Sequence, residues 1–363
     1  MSETGSQPGL IRSSVRAMQG YVPGEQPDDP SIVKLNTNEN PYPPSPKIAE
    51  RLAAIDADTL TRYPDPVCRE LRERLAELHG CTVDNVFVGN GSDEVLALCT
   101  RAFVENHEKV GFFDPTYSLY TVLAEIRDVG EHVVPLKADF SWPIDAACEA
   151  LRADEACTLF FFTNPNAPTG RLCPRDEVRR FCEGFSGVVV VDEAYVDFAD
   201  ECCDQLALEC ENIIVARTFS KSYSLAGLRV GYAIAGAPLV EALYKIKDSY
   251  NVDGIAQQLA LAAIEDVETM DRNAARVVAT RKRLAARLGK LGFSVCPSQA
   301  NFLFVEPPPH TTAQEMFEAL RTHRILVRYF PGERTKRFLR ITIGTDADID
   351  RLLEVVTALC EEG

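Results

Sequence analysis

Four polar clusters in this sequence follow directly on apolar runs, and each holds residue types that do chemistry. The run at Ile213 leads into Arg217-Thr218-Phe219-Ser220-Lys221-Ser222-Tyr223-Ser224. A lysine amine among hydroxyl groups, behind an apolar strand, can form a Schiff base and, once desolvated and neutral, carry a proton. Thr218, Ser220, Ser222 and Arg229 can together hold a phosphate beside it. Four valines lead into Asp192-Glu193-Ala194-Tyr195, which puts a carboxylate at the end of a second apolar run. Gly89-Asn90-Gly91-Ser92-Asp93-Glu94 is a glycine-flanked turn opening a helix, where unpaired backbone N–H groups attract anions. Glu94 replaces the third glycine of the dinucleotide fingerprint, and no Gly-Lys-Ser/Thr phosphate loop is present. Leu159–Phe162 leads into Thr163-Asn164-Pro165-Asn166-Ala167-Pro168-Thr169-Gly170. Taken singly, a helix cap accounts for Ser92 or Asp192, and a solvated turn accounts for Lys221. Taken together, a carboxylate and a lysine at adjacent strand ends are the parts that pyridoxal phosphate needs. The acid keeps the pyridine nitrogen protonated, and the lysine forms the Schiff base.

Open α/β sheets bind ligands beyond the carboxyl ends of their strands, so the clusters ask for such a sheet. Apolar runs occur at Asn85–Val88, Val110–Phe113, Thr158–Phe162, Val188–Val191, Ile213–Ala216 and Val230–Ile234. They are continuous rather than alternating, as strands covered on both faces are. Helical patterns fill gaps between them, for example Asp93–Val104 and Arg175–Glu183, which predicts an α/β fold with helices on both faces of a sheet. The first 45 residues are rich in Pro, Gly and Asn and predict an arm draped over the rest without helix or strand. A long helical pattern spans roughly Asp253 to Leu291. Strand-like Ala300–Val305, the loop Pro307-Pro308-Pro309, a short helix, strand-like Leu326–Tyr329 and Phe338–Ile343, and a last helix follow. The expected organisation is an arm over 1–45, a large domain over 46–252 and a small α+β domain over 253–363.

Composition narrows the partners. With 363 residues, 46% of them apolar, the chain can bury a sizeable core, which excludes low-complexity disorder. Its net charge of −16 repels nucleic-acid backbones and anionic lipid, so neither partner is expected. No signal-peptide core or membrane-length apolar run is present, and a soluble cytoplasmic protein is expected. The twelve cysteines include no Cys-x-x-Cys pair and read as reduced structural thiols; the five histidines form no zinc-protease pattern, and no metal is expected. One basic stretch stands out. Between Arg321 and Arg340 lie seven Lys or Arg residues and one acid, Glu333. A solvated face accounts for Arg334, Lys336 and Arg337, but Arg328 and Arg340 sit within apolar strand segments, where an arginine needs an anionic partner.

The segments Asn-Pro-Asn-Ala-Pro-Thr-Gly, Asp-Glu-Ala-Tyr and Thr-Phe-Ser-Lys-Ser-Tyr-Ser-Leu-Ala-Gly-Leu-Arg-Val-Gly-Tyr resemble those of the fold-type I pyridoxal-phosphate aminotransferases. Gly20-Tyr21-Val22-Pro23-Gly24, Leu35-Asn36-Thr37-Asn38-Glu39-Asn40-Pro41, Arg62-Tyr63-Pro64 and Leu339-Arg340-Ile341-Thr342-Ile343-Gly344 extend the resemblance, and point within it to the histidinol-phosphate aminotransferase family. The resemblance implies a mostly parallel seven-stranded sheet flanked by helices, a smaller α+β domain and a homodimer with shared active sites. It implies Lys221 as the Schiff-base lysine, Asp192 against the pyridine nitrogen and Tyr195 against the phenolic oxygen. Tyr117 would stack on the ring. Ser92, Asp93, Thr218, Ser220 and Arg229 would hold the phosphate, with Tyr63 reaching it from the neighbouring subunit. Arg328, Arg340 and Tyr21 would bind the anionic ends of histidinol phosphate and of glutamate or 2-oxoglutarate. The sequence departs from the family pattern at Ala167, where an asparagine commonly bonds the phenolic oxygen; Asn166 or Asn164 is then expected to supply that bond from a shifted loop, or Tyr195 to act without help. Aromatic amino-acid aminotransferases and threonine-phosphate decarboxylases keep the same lysine motif and remain alternatives; a non-catalytic regulator would need an added basic DNA-binding module.

Overall fold

The computed structural model describes residues 9–361. A two-residue strand, β1 (Val33–Lys34), precedes the sheet strands β2 (Val86–Gly89), β3 (Lys109–Asp114), β4 (Gly130–Pro135), β5 (Cys157–Thr163), β6 (Val188–Asp192), β7 (Ile213–Thr218) and β8 (Gly231–Ala235). These seven form one sheet in the order β2-β8-β7-β6-β5-β3-β4. The pairs from β7 through β4 are parallel, and β8 runs antiparallel to both its neighbours. The sheet splits the apolar residues by alternation. Phe160, Phe162, Val189, Val191 and Val215 face one core, while Phe161, Val190, Ile214 and Ala233 face the other, under the helix Ser92–Phe103. Each buried Val, Ile or Phe among them contributes about 1.5–3 kcal/mol, which is why the central strands need no polar face.

The six expected runs are strands. The seventh, β4, escaped detection because it lies at the sheet edge and alternates: Val134 is buried while Val133 is exposed. The helical stretch expected over Asp253–Leu291 is two helices, Gly254–Ile264 and Val267–Lys290. Asp266 interrupts it, its carboxylate accepting from Ser45 Oγ at 2.5 Å and Thr269 Oγ1 at 2.7 Å, in a backbone conformation outside the helical region.

A second sheet contains β9 (Ser294–Val295), β10 (Phe302–Glu306), β12 (Arg328–Tyr329) and β13 (Leu339–Thr342), in the order β12-β13-β10-β9. Between them in sequence, β11 (Ile325–Leu326) pairs in parallel with β1. The single strand expected over Leu326–Tyr329 is therefore two, because each half has its own partner.

The expected arm is corrected as well. Residues 1–8 lie outside the described residues, Ser13–Ala17 form a short helix, and β1 is strand. Leu35, Asn36 and Asn38 are buried, tied to β13 by Thr342 N–H donating to the Leu35 carbonyl. Residues 35–38 are thus a wall of the interior, while residues 18–29 run without helix or strand, as expected of an arm. All twelve cysteines are free, and burial pushes thiols such as Cys99 and Cys182 up, which keeps them unreactive. Among the described residues, no helix is long and apolar enough to cross a membrane.

Candidate active site

A cavity of about 450 Å³ opens beyond the carboxyl ends of β5, β6 and β7, closed by residues 21–39 on one side and by β12 and β13 on another. Asp192 ends β6 opposite Ala216 of β7, and Thr218 ends β7 two residues beyond that pair, so both close neighbouring strands at the same edge of the sheet. Asp192 is 3% exposed; its carboxylate accepts from Tyr120 Oη at 2.8 Å and from the Ala194 N–H at 3.2 Å. Burial pushes this carboxyl up to about 6, against the lowering by the Tyr120 hydroxyl. Lys221 brings its amine to the Thr37 carbonyl, 3.4 Å away, and to 5.8 Å from the centre of the Tyr195 ring. Burial and then the charge of Arg340 pull this amine down to about 8, which makes a neutral, proton-accepting lysine accessible near physiological pH.

An anion cradle lies next to the lysine. Gly91, at φ 80, precedes the helix Ser92–Phe103; a Cβ there would stand 2.6 Å from Arg229 Nη2. A Cβ on Gly231 would meet the Ser92 nitrogen at 2.4 Å. The two glycines thus let β8 and Arg229 close on the helix N-terminus, whose N–H groups are unpaired by construction. Arg229 reaches Ser220 Oγ at 3.4 Å and Asp93 at 3.2 Å, and Thr218 Oγ1 lies 3.0 Å from Ser220 Oγ. A guanidinium, two hydroxyls and a helix N-terminus, brought close by two glycines, fit a phosphate group. The buried carboxylate one strand away fits a protonated ring nitrogen. The donor set therefore fits pyridoxal phosphate.

The opposite wall carries the two strand arginines. Arg328 and Arg340 face each other directly across the antiparallel β12–β13 pair. Like charges in that register are destabilising unless an anion lies between or above them. Arg340 donates to the Asn36 carbonyl at 2.8 Å, packs over Phe302 and Phe330, and keeps a buried Nε without a partner. Arg328 donates to the Val22 carbonyl at 3.3 Å. Tyr21 and Tyr117 meet edge to face, 5.9 Å between centres, and both line the cavity.

The structure thus gathers Ser92, Asp93, Tyr117, Asp192, Tyr195, Thr218, Ser220, Lys221, Arg229, Tyr21, Arg328 and Arg340 around one space. Two expectations fare differently. Asn166 does not line the cavity: its Nδ2 donates to the Pro115 carbonyl just after β3 and its Oδ1 accepts from Thr169 in its own loop, so both ends of the amide are committed elsewhere. Asn164 is likewise bonded through its side chain to Cys173. Neither replaces the asparagine missing at Ala167. Tyr63 is exposed, stacks on Tyr250 with centres 4.4 Å apart, and is not part of its own chain's cavity.

Sequence reading missed Tyr120, Asn38 and the support behind the strand ends. Tyr120 sits in an amphipathic helix where nothing marks it apart from a core aromatic. Behind Asp192 and Thr218, Arg217 Nη2 and Nε lie 2.8 and 2.9 Å from the buried Glu193 carboxylate, with Asp204 beyond, which meets His79 at 2.9 Å. Arg217→Met should lower stability by about 3–5 kcal/mol in urea unfolding, because it strands the Glu193 charge in the interior. A loss below about 1 kcal/mol would show that this pair does not hold the strand ends.

A mostly parallel sheet with a lysine amine, a buried carboxylate and an anion cradle at its carboxyl edge is the architecture of a fold-type I transferase. Residues 30–356 match the family model described as aminotransferase class I and II, and the chain belongs to that family. The chain is 44% identical over 352 residues to histidinol-phosphate aminotransferase 1 of a Nostoc species, covering 97% of this chain and 98% of that protein. It is 47% identical over 343 residues to histidinol-phosphate aminotransferase 1 of Bordetella parapertussis, covering 93% and 95%. The fold is shared with the histidinol-phosphate aminotransferase of Sinorhizobium meliloti, solved in complex with pyridoxal-5'-phosphate, at a TM-score of 0.88 and 24% identity over 99% and 100% of the two chains.

Proposed function

We propose that this protein moves an amino group between L-histidinol phosphate and 2-oxoglutarate, giving imidazole-acetol phosphate and L-glutamate, with pyridoxal 5'-phosphate held at Lys221. The carrying observation is the pairing, in one cavity, of Lys221 and Asp192 with the facing arginines Arg328 and Arg340. The named relatives support the same substrate. When bound, pyridoxal phosphate supplies an electron sink that lets the substrate's Cα release its proton. The protein's part is to place and to move protons. Asp192 keeps a proton on the ring nitrogen, and Tyr195 bonds the phenolic oxygen. Arg229, Thr218, Ser220 and the N–H groups of Ser92 and Asp93 hold the phosphate, with Tyr117 against the ring. Lys221 Nζ takes the Cα proton and returns it. Arg340 and Arg328 hold an anionic oxygen group, presenting the same planar fork to the phosphate of one substrate and the carboxylate of the other in turn. Tyr21 covers that end.

This reading includes a homodimer in the cytoplasm, with the division into arm, large and small domain at residues 45 and 252. The exposed Tyr63–Tyr250 stack, flanked by exposed Leu60, supports an interface through which Tyr63 serves the partner's cavity.

The test is a single-turnover spectrum. Cofactor-loaded protein is mixed separately with histidinol phosphate, phenylalanine and threonine phosphate. Histidinol phosphate should bleach the cofactor absorbance fastest at low concentration. Phenylalanine winning would make this an aromatic aminotransferase, and carbon dioxide release from threonine phosphate would make it a decarboxylase.

A further inference from the structure

We infer that Asn38 is a positioning residue that fixes the direction of the Tyr195 hydrogen bond and turns the tyrosine's proton into the cavity; this rests on the reading that pyridoxal phosphate binds at Lys221. The argument runs through one buried chain of polar groups. Asn38 adopts a left-handed φ of 56°, a conformation asparagine tolerates better than most residues. Its backbone N–H donates to Thr342 Oγ1 at 3.0 Å, and its carbonyl accepts from Asn301 Nδ2 at 2.9 Å. Thr342 Oγ1 therefore already receives one proton and must place its own. The acceptor within reach is Asn38 Oδ1, at 3.0 Å. That fixes the amide: Oδ1 faces Thr342, and Nδ2 faces Tyr195 Oη at 3.0 Å. Asn38, Asn301 and Thr342 are all buried, so no water competes for these bonds.

An amide N–H can only donate. Tyr195 Oη is consequently the acceptor toward Asn38, and its own proton must point elsewhere. Among the described residues Asn38 is the hydroxyl's protein partner, and the remaining direction is the cavity, on the side of Lys221. Ala167, on the same wall, brings no hydrogen-bonding side chain. Asn38 thereby makes Tyr195 an obligate donor to an anionic oxygen beside the lysine. A donor to that oxygen favours the deprotonated form of the bound cofactor and lowers the pH at which its absorbance changes.

The experiment is a pH titration of the visible absorbance of pyridoxal-phosphate-loaded protein, in wild type and in Asn38→Gly, Asn38→Asp and Tyr195→Phe. Asn38→Gly removes the amide while tolerating the left-handed backbone. Asn38→Asp is nearly isosteric and keeps the Thr342 bond, but offers Tyr195 an acceptor that draws its proton out of the cavity. Asn38→Gly should raise the midpoint by about 0.5–1 unit, toward the value of Tyr195→Phe. Asn38→Asp should raise it at least as far. Midpoints within about 0.2 unit of wild type in both Asn38 variants, with Tyr195→Phe displaced, overturn the inference. A wild-type protein that takes up pyridoxal phosphate without a pH-dependent absorbance change removes the Lys221 reading, and this inference with it.

Discussion

Lys221→Ala is expected to slow the single-turnover reaction with histidinol phosphate by at least about 10³-fold, because it removes both the covalent amine and the base that moves the Cα proton. The structural reason is that no other group can substitute. Lys221 Nζ lies against the Thr37 carbonyl and over Tyr195, and the other cations lining the cavity, Arg229, Arg328 and Arg340, carry no amine that could form a Schiff base. Lys221→Arg separates charge from proton transfer: it keeps a cation in the cavity but cannot give it up, so it should fail as completely as alanine. The pH profile carries the sign. With the amine pulled down to about 8, roughly one molecule in ten holds a neutral lysine at pH 7 and half do at pH 8. Uptake of pyridoxal phosphate by the cofactor-free protein, which needs the neutral amine, should therefore speed up about fivefold over that unit. Stopped-flow absorbance measures all three. Turnover retained in Lys221→Ala, or rescued by arginine, would remove the lysine from the chemistry.

Why were these groups visible in the sequence when others were not? Lys221, Asp192 and the Gly89–Glu94 turn each follow a continuous apolar run, and continuity is what burial on both faces of a sheet produces. A reactive group within the next few residues then lies at or just beyond the carboxyl edge of the sheet. Arg328 and Arg340 stood out by the opposite contrast, as charges inside apolar strands. Their direct pairing across β12 and β13 did not, because register depends on contacts far away in sequence. The edge strand β4 was hidden by its alternation. Asn38 was hidden more deeply. It lies in a Pro- and Asn-rich stretch that reads as turn, and its importance comes from Thr342 and Asn301, residues hundreds of positions away in sequence that hold it against Tyr195. The Asn166 expectation failed for a related reason: proximity in sequence to Ala167 says nothing about where an amide is committed.

Asp192→Asn is expected to cut turnover by about 10²-fold or more while making the cofactor-free protein more stable at neutral pH. The loss follows from chemistry, since a neutral amide cannot hold a proton on a ring nitrogen. The gain follows from burial. In the folded chain the carboxyl is raised from 3.8 to about 6, chiefly by desolvation and partly by the charge of Asp93, while Tyr120 and the Ala194 N–H pull the other way. Below pH 3.8 the group is protonated both folded and unfolded and contributes no difference. Between 3.8 and 6 the folded state keeps its proton while the unfolded state sheds it, so the native protein loses relative stability as pH rises. Above 6 the cost is constant, at about 3 kcal/mol. Asparagine removes it, but its amide cannot accept both bonds that the carboxylate does, which takes back about 1 kcal/mol. The net expectation is about 2 kcal/mol in favour of Asp192→Asn above pH 6. Urea unfolding of both proteins without cofactor, at pH 5, 6 and 7.5, should show the gap widening with pH. A gap that stays flat would place the cost elsewhere than on this carboxylate. A wild type more stable than the variant at pH 7.5 would mean that its hydrogen bonds outweigh its burial. The predicted result instead makes Asp192 a charge the fold holds at the expense of its own stability, and pairing with a protonated ring nitrogen is what relieves it.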